Sequence, residues 1–96
     1  MPWSWDPPKS EANLRKHGVS FGTAELVFDD PLSLSLPDPY PAEERWRTIG
    51  VVGNRYLTFV HTDLEDEGQE LTGMGRIISA RKSTRTERKA YDERPR

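Results

Sequence analysis

The alternation of apolar and polar positions divides the chain into two short helices, a group of strands and a final helix. Asp6 and Pro7 are typical of a helix start and Gly18 of a helix end, so we predict a first helix from about residue 7 to residue 17. Ser20 is suited to cap a second helix, which is richer in apolar residues and ends before the next proline.

The middle of the chain carries the period-two pattern of strands. Four strands are predicted, at residues 32–36, 45–52, 55–62 and 76–81. Gly53-Asn54 is a turn that joins the second and third strands as an antiparallel hairpin. Prolines at positions 37, 39 and 41 predict an extended linker that cannot join a central ladder. Residues 63–75 are acidic, lack periodicity and predict a loop.

The last predicted helix begins near Thr84, because Thr84 and Glu87 have the spacing of a capping box. Only two residues between 84 and 94 are apolar, so this helix has little to bury. We expect local pairs such as Arg88 with Asp92, or a partner, to stabilise it. The order of elements indicates an α+β fold with two N-terminal helices, a mostly antiparallel four-stranded sheet and a C-terminal helix.

Length and composition predict one domain over residues 1–96 with a small core. The chain has 33% hydrophobic and 31% charged residues, which is lean for a globular domain. It has no cysteine, which excludes disulfides and thiolate zinc sites. No apolar run approaches the roughly 20 residues of a membrane span, and the N-terminus lacks the pattern of a secretory signal. We therefore expect a cytoplasmic protein without membrane contact.

Charge is distributed unevenly along the chain, although the formal net charge is only −2. From residue 76 onward there are eight Lys or Arg and three Asp or Glu, whereas residues 25–70 hold three Lys or Arg and eleven Asp or Glu. This polarity favours two charged partners, such as a polyanion and a basic protein. A basic helix that is simply solvated explains the same pattern equally well.

The residue types present are sufficient for metal-free RNA cleavage. No glycine-rich nucleotide motif and no metal-ligand cluster occur in the sequence, and we expect neither a metal nor a cofactor. Metal-free cleavage needs a base for the 2′-OH, an acid for the departing 5′-oxygen and cations for the phosphorane. Histidine or glutamate suits the first two roles, and arginine or lysine the third.

Both histidines have structural as well as catalytic interpretations. His17 ends the first helix, where the helix dipole favours a cation, and His61 ends the third predicted strand. A helix-terminal cation and a satisfied half-buried histidine are the structural alternatives. The first helix also presents Lys9, Asn13 and Lys16 on one face, a polar stripe that needs solvent or a ligand.

Strand periodicity separates the other charged candidates. Glu44 and Trp46 share one face of their strand, and Arg45 lies on the other. Arg76 and Arg81 are five residues apart, so a regular strand directs them to opposite faces and only a bulge lets them share a site. We expect Arg76 to share its face with residues 78 and 80, and Arg81 to share its face with residues 77 and 79.

Several separated motifs resemble the BrnT family of bacterial toxins. The opening motif is Trp5-Asp6-Pro7-Pro8-Lys9 followed by Asn13-Leu14-Arg15-Lys16-His17-Gly18-Val19-Ser20-Phe21. Later motifs follow in the order of the family, at residues 27–31, 44–46 with Gly50, 60–62, and 76–81 with Glu87-Arg88. The resemblance covers roughly residues 5 to 91, and motifs in the correct order are more specific than any single one.

This resemblance implies a RelE-like fold and the toxin of a type II toxin–antitoxin system. Such a toxin is a metal-independent endoribonuclease that cleaves RNA, inhibits translation and growth, and acts in the bacterial stress response. A cognate BrnA-like antitoxin would neutralise it and carry the DNA-binding domain, so that the complex, which we expect to contain a dimer, represses its own operon. Operator DNA would then be contacted only through that complex.

The same resemblance identifies the candidate site residues. The catalytic candidates are His61, Glu44, His17, Arg76 and Arg81, and the candidates for binding RNA phosphate are Lys16, Arg45 and Lys9. In the working hypothesis, His61 or Glu44 transfers protons while arginine and lysine hold phosphate. One alternative is a non-catalytic interaction module that acts through antitoxin binding and operon autorepression. Direct DNA binding by residues 76–96 is a third interpretation, for which the sequence shows no groove-reading motif.

Overall fold

The computed structural model describes residues 3–39, 44–62 and 75–93. In chain order the elements are β1 (Trp3–Ser4), α1 (Pro7–His17), α2 (Phe21–Glu25), a 3-10 helix (Leu26–Asp29), β2 (Leu34–Asp38), β3 (Arg45–Val52), β4 (Arg55–His61), β5 (Gly75–Lys82) and α3 (Arg85–Glu93). The α+β class, the two N-terminal helices and the C-terminal helix are confirmed. The loop predicted at residues 63–75 lies outside the described residues, except for Gly75, which begins β5.

Local chemistry at the helix ends agrees with the sequence. Gly18 has the left-handed conformation of a C-cap, with φ at 74°, and its N–H donates to Leu14 O at 2.8 Å. Ser20 Oγ accepts from Thr23 N at 3.1 Å and caps α2. Asp6 occupies the N-cap position of α1, but its side chain forms no cap hydrogen bond. The carboxylate of Asp6 is therefore not used to cap α1.

The sheet has the strand order β1-β5-β4-β3-β2. Its four longer strands are antiparallel, as predicted, and β3 and β4 form the predicted hairpin around Gly53, which has φ at 65°. The two-residue strand β1 was not predicted and pairs in parallel with the start of β5. This pairing ties the N-terminal segment to residues more than 70 positions further along the chain.

The first predicted strand is displaced by two residues. It begins at Leu34, and Pro37 lies inside it opposite Trp46, so the linker predicted from Pro37 onward is wrong at this position. β2 is the last strand of the sheet, and an edge strand tolerates proline because part of its backbone has no neighbour to bond. Residues 40–43 of the predicted linker lie outside the described residues.

A bulge between β4 and β5 changes which side chains share a face. Ser79 opposes Val60, whereas Ile77 opposes His61, so Ile78 is an additional residue on β5. Ile77 is consequently buried in the same core as Ala80. The prediction that residues 77 and 80 lie on opposite faces is therefore wrong, because it assumed a regular strand.

The main core lies between one face of the sheet and the N-terminal helices. Its buried side chains are Val19, Phe21, Ala24, Val27, Leu57, Phe59, Ile77 and Ala80. Gly50 allows the 3-10 helix to approach β3, because a Cβ at this position would lie 2.7 Å from Val27 Cγ1 and 3.2 Å from Val27 O. The close approach leaves no room for a side chain at Gly50.

Asn13 connects α1 to the sheet. It is only 8% exposed, and its Nδ2 donates to Val19 O at 2.7 Å and to Ala80 O at 2.6 Å. Its Oδ1 accepts from Ala80 N at 3.2 Å, so both ends of the amide are bonded. The predicted polar stripe is therefore wrong at Asn13. This side chain bonds backbone groups of Val19 and Ala80 that would otherwise lack hydrogen-bond partners, and it does not face a ligand.

Helix α3 packs against the opposite face through two buried side chains, Glu87 and Tyr91. The predicted capping box is confirmed, because Glu87 N donates to Thr84 Oγ1 at 3.1 Å and Thr84 N donates to Glu87 Oε1 at 2.9 Å. The prediction that α3 has little to bury is wrong, because Glu87 is only 3% exposed. Sequence patterns that count only apolar residues miss a buried carboxylate.

Tyr91 anchors the second turn of α3. Its hydroxyl donates to Asp30 Oδ2 at 2.5 Å, and the same oxygen accepts from Val51 N at 2.9 Å. Asp30 Oδ1 also accepts from Leu32 N at 2.8 Å, so this carboxylate joins α3, β3 and the turn after the 3-10 helix.

The longest described helix, α1, has 11 residues, and no helix in the described part of the chain has the length and apolar character required to cross a membrane.

We expect Asn13→Ala to lower the free energy of unfolding by about 2–4 kcal/mol, because it leaves buried backbone groups of Val19 and Ala80 without partners. Chemical denaturation monitored by circular dichroism measures this change. Glu11→Ala, at an exposed position of the same helix, is the matched control and should alter stability by less than about 0.5 kcal/mol. Equal stabilities of the two variants would contradict the assignment.

Candidate functional site

A cleft of about 520 Å³ lies where β1, α1, β3 and β5 begin. Its lining residues are Ser4, Trp5, Asp6, Lys9, Arg45, Arg76, Ile77 and Ile78. Among the described residues, three cations from three separate elements line this space together with one carboxylate, that of Asp6. The structure therefore brings together three of the predicted site residues, Lys9, Arg45 and Arg76.

The short strand β1 builds one wall of the cleft. Ser4 pairs with Arg76 in the parallel ladder, and Ser4 Oγ donates to Gly75 O at 3.3 Å. The chain then turns through Trp5 and Asp6 into α1, which places Lys9 above the start of β5. A pairing of two residues thus determines which part of α1 faces the cleft.

Arg76 is held by backbone contacts to the end of β4. Arg76 N donates to Thr62 Oγ1 at 2.9 Å, and Thr62 N donates to Arg76 O at 3.0 Å. Arg45 is the first residue of β3 and is paired with Asp38 across the ladder. Both arginines therefore extend from strand ends whose backbones are hydrogen-bonded, which favours a defined position for each guanidinium group.

The composition of the cleft suits a phosphate group next to a base. Two guanidinium groups and one ammonium provide donors for phosphate oxygens. Trp5, which packs partly against the core, provides an aromatic surface of the kind on which bases stack. Asp6 supplies the carboxylate, and its side chain forms no cap hydrogen bond with α1.

Five predicted residues lie outside the lining of this cleft, and three of them are Lys16, His17 and Glu44. Lys16 and His17 are at the far end of α1, and eight residues of helical rise separate His17 from Lys9 by about 12 Å. Glu44 is exposed directly before β3 but does not line the cleft. The structure therefore does not group Lys16, His17 and Glu44 with Lys9.

His61 is 5% exposed and has hydrogen bonds at both ring nitrogens. Nδ1 is 2.8 Å from Thr62 O, which only accepts, so Nδ1 carries the proton that it donates. In the neutral ring, Nε2 then accepts from Thr48 Oγ1 at 2.6 Å. The ring also packs edge-on against Phe28, with centroids 5.7 Å apart. The structure places His61 beneath the surface next to Thr62, outside the lining of the cleft.

Arg81 is engaged by Glu87. Its guanidinium group makes two hydrogen bonds to the carboxylate, at 2.6 Å to Oε1 and 3.0 Å to Oε2. Arg47 Nη1 donates to the same carboxylate at 3.1 Å, and Thr58 Oγ1 donates to it at 3.0 Å. The carboxylate thus compensates the charge of Arg81, whose side chain is 30% exposed and does not line the cleft of Arg76.

The pKa values of this pair reflect their contact. Burial raises the pKa of Glu87, but the hydrogen bonds from Arg81 and Thr84 N outweigh burial and lower the pKa to about 2. The hydrogen bond to Glu87 raises the pKa of Arg81 above its ordinary value, against the effect of burial.

Arg47 Nε is 3.5 Å from Asp38 Oδ1, a contact too long for a good hydrogen bond, so Nε has no hydrogen-bond partner among the described residues.

In the described ranges, no group of three His, Cys, Asp or Glu side chains is close enough to hold a metal ion. Trp5 and Asp6 line the cleft, although the sequence predicted neither as a site residue. The local pattern predicted Asp6 as a helix cap, and two residues of β1 are too few to show periodicity. The signal available in the sequence was the Trp5-Asp6 pair at the start of the opening motif, which also contains Lys9.

The fold and the cleft define a small α+β protein with a cationic site suited to phosphate. The chain belongs to the BrnT family: the family model described as "Ribonuclease toxin, BrnT, of type II toxin-antitoxin system" matches residues 5–87. The resemblance noted in the sequence is therefore confirmed, and the protein is a member of a family of ribonuclease toxins. A comparison with curated proteins gave no match.

The Glu87 contacts generate a prediction on pH dependence. The folded pKa of about 2 lies below the ordinary value of 4.5, so the unfolded chain binds more protons in this window. The stabilisation is complete above about pH 5 and is lost as the pH falls towards 2. We expect Glu87→Gln to be less stable at neutral pH and to lose less stability on acidification than the unmodified chain.

Urea unfolding at a series of pH values measures this difference. Glu11→Gln is the control, because Glu11 is exposed on α1. An identical acid dependence for Glu87→Gln and the unmodified chain would show that Glu87 is not the group that titrates.

Proposed function

We propose that this protein is a metal-independent endoribonuclease that cleaves RNA in the cleft of Lys9, Arg45 and Arg76. The observation that carries the proposal is the convergence of these three cations on a cleft that also contains a carboxylate and an indole. Membership of a ribonuclease toxin family supports the reaction class. The cations would stabilise the charge that develops on the phosphorane.

In the proposed reaction, Asp6 accepts the proton of the 2′-OH, whose oxygen forms a bond to phosphorus. The bond from phosphorus to the 5′-oxygen breaks, and that oxygen takes a proton from Lys9. Arg45 and Arg76 hold the non-bridging oxygens throughout. The products are a 2′,3′-cyclic phosphate and a free 5′-hydroxyl, so protons and charges balance without a metal ion.

The remaining predicted residues receive other roles in this proposal. His61 positions Thr62, which binds Arg76, and thereby supports the cleft from below. Arg81 stabilises the fold through Glu87. Lys16, His17 and Glu44 lie outside the cleft lining, and we propose that Lys16 and His17 contact RNA beyond the reacting phosphate, while Glu44 has no catalytic role.

We further propose that the protein acts as a toxin that inhibits translation and growth from a RelE-like fold in the cytoplasm. A cognate BrnA-like antitoxin would neutralise it, and their complex, containing a dimer, would repress its own operon. Family membership supports an antitoxin partner. The non-catalytic interaction module is the competing function: it predicts tight antitoxin binding with no degradation of RNA by the purified chain.

Replacing cleft cations should strongly reduce RNA cleavage. We expect Arg76→Ala and Lys9→Ala each to lower kcat/KM on single-stranded RNA by about 10²- to 10³-fold in EDTA, with unchanged circular dichroism spectra. Arg15→Ala removes an exposed cation of α1 outside the cleft lining and is the control. Intact RNA at high excess of the unmodified chain without antitoxin would refute the enzymatic proposal.

Replacing the cleft carboxylate should act on the proton-transfer step. Asp6→Asn keeps a residue favourable at the N-cap, so the helix should remain intact. We expect kcat to fall by about 10²-fold with KM nearly unchanged, because the proton acceptor is lost while the cations that bind phosphate remain. Glu11→Gln serves as the matched control in the same helix. An unchanged kcat for Asp6→Asn would exclude Asp6 as the base.

A further inference from the structure

A second cationic surface lies at the other end of the sheet, where the β3–β4 hairpin, the end of β5 and α3 meet. We call it the hairpin–helix surface, and its cations are Arg55, Lys82, Arg85, Arg88 and Lys89. Two neighbouring clefts of about 440 and 350 Å³ form it, and both are lined by Tyr56 and Arg88. No cation of this surface lines the cleft of Lys9 and Arg76.

The orientation of α3 separates its structural face from its cationic face. Glu87 and Tyr91 are buried against the sheet, whereas Arg85, Arg88 and Lys89 are exposed. Residues at spacings of three and four lie on the same side of a helix, with Cβ atoms about 5–6 Å apart. The three cations therefore form a row on the exposed side of α3. The contacts that position α3 are made by its buried side, through Glu87 and Tyr91.

Asp92 and Glu93 line the same cleft as this row, so that three cations are found there with two carboxylates. In the part of the chain that the structure describes, Lys82, Arg85, Arg88 and Lys89 belong to no ion pair. The pairing of Arg88 with Asp92 expected from the sequence is absent there, and Asp92 Oδ1 instead accepts from Tyr56 Oη at 2.9 Å. The hydrogen bond to Asp92 also raises the pKa of Tyr56, so its hydroxyl stays protonated and the surface gains no negative charge from it.

The chemistry of the surface favours a polyanion over a protein partner. Protein interfaces have apolar centres, but the exposed large apolar side chains of the described residues lie outside this surface. They belong to α1, the 3-10 helix and the turn after it, and they are Leu14, Leu26, Phe28 and Leu32. The hairpin–helix surface instead combines a row of cations with the aromatic ring of Tyr56. This combination is typical of grooves that follow a nucleic-acid strand.

We propose that the hairpin–helix surface binds the RNA backbone as a second site, remote from the cleft. The proposal rests on RNA being the substrate. Six residues of β5 separate Arg76 from Lys82, a distance of about 20 Å along an extended strand. A single strand several nucleotides long reaches from the reacting phosphate to this surface, whereas a very short oligonucleotide does not. The second site therefore confers a preference for longer RNA.

The test compares binding and cleavage in the triple variant Arg85→Ala, Arg88→Ala and Lys89→Ala. Alanine is a strong helix former and the buried anchors are untouched, so α3 should stay folded, which a thermal melt verifies. The triple Gln variant provides a second replacement of the same charges. Arg15→Ala is the control for loss of an exposed helical cation outside all three clefts.

Binding is measured by fluorescence anisotropy with 2′-O-methyl RNA, which the proposed reaction cannot cleave. For an oligonucleotide of about 16 nucleotides, we expect affinity to fall about tenfold in the triple variants and the slope of log K against log salt to shrink by about two. For one of about four nucleotides, neither quantity should change. Cleavage of unmodified long RNA should fall in the same proportion, and cleavage of short RNA should be unaffected.

Unchanged affinity of the triple variants for long RNA overturns the proposal. Loss of antitoxin binding with retained RNA affinity also overturns it and assigns the surface to a protein. If the unmodified chain cleaves no RNA, the enzymatic proposal fails on its own, and the anisotropy measurement still decides whether the second site exists.

Discussion

The buried carboxylate of Glu87 is the interaction on which the arrangement of this protein depends. It accepts hydrogen bonds from Arg81, Arg47 and Thr58 of the sheet and closes the capping box of α3 with Thr84. A charge this deeply buried is tolerated only when paired and hydrogen-bonded, and removing one partner of such a pair typically costs about 3–5 kcal/mol. These contacts therefore hold α3, a helix with few apolar residues, on the sheet.

This constraint also separates two groups of cations. Arg81 and Arg47 bind Glu87, whereas Lys9 and Arg76 line a cleft at one end of the strands. The row of cations on α3 points away from Glu87 and faces solvent at the other end. A chain with a net charge of −2 thereby presents two separate basic surfaces. The net charge alone therefore does not describe these surfaces, because Glu87 compensates cations that help to hold the fold together.

The sequence predicted those features that depend on neighbouring residues. Gly18 and Ser20 identify helix ends because their effects are local, and Gly53 identifies the hairpin for the same reason. The features it did not predict depend on distant residues. The pairing of Ser4 with Arg76 and the bulge at Ile78 arise from contacts between strands, which cannot be predicted from the sequence of one segment alone. Three of the eight predicted site residues line the cleft. Motif matching also selected Arg81, because a sequence motif does not distinguish a cation bound to a buried carboxylate from one that lines a cleft.

The most direct measurement is a crystal structure of the protein with a short 2′-O-methyl oligonucleotide, which keeps the scissile phosphate intact. The account predicts a phosphate within hydrogen-bonding distance of Lys9 and Arg76, the 2′-oxygen next to the carboxylate of Asp6, and the contact between Arg81 and Glu87 unbroken. A phosphate bound instead by Arg81, with Glu87 displaced from the guanidinium group, would contradict it.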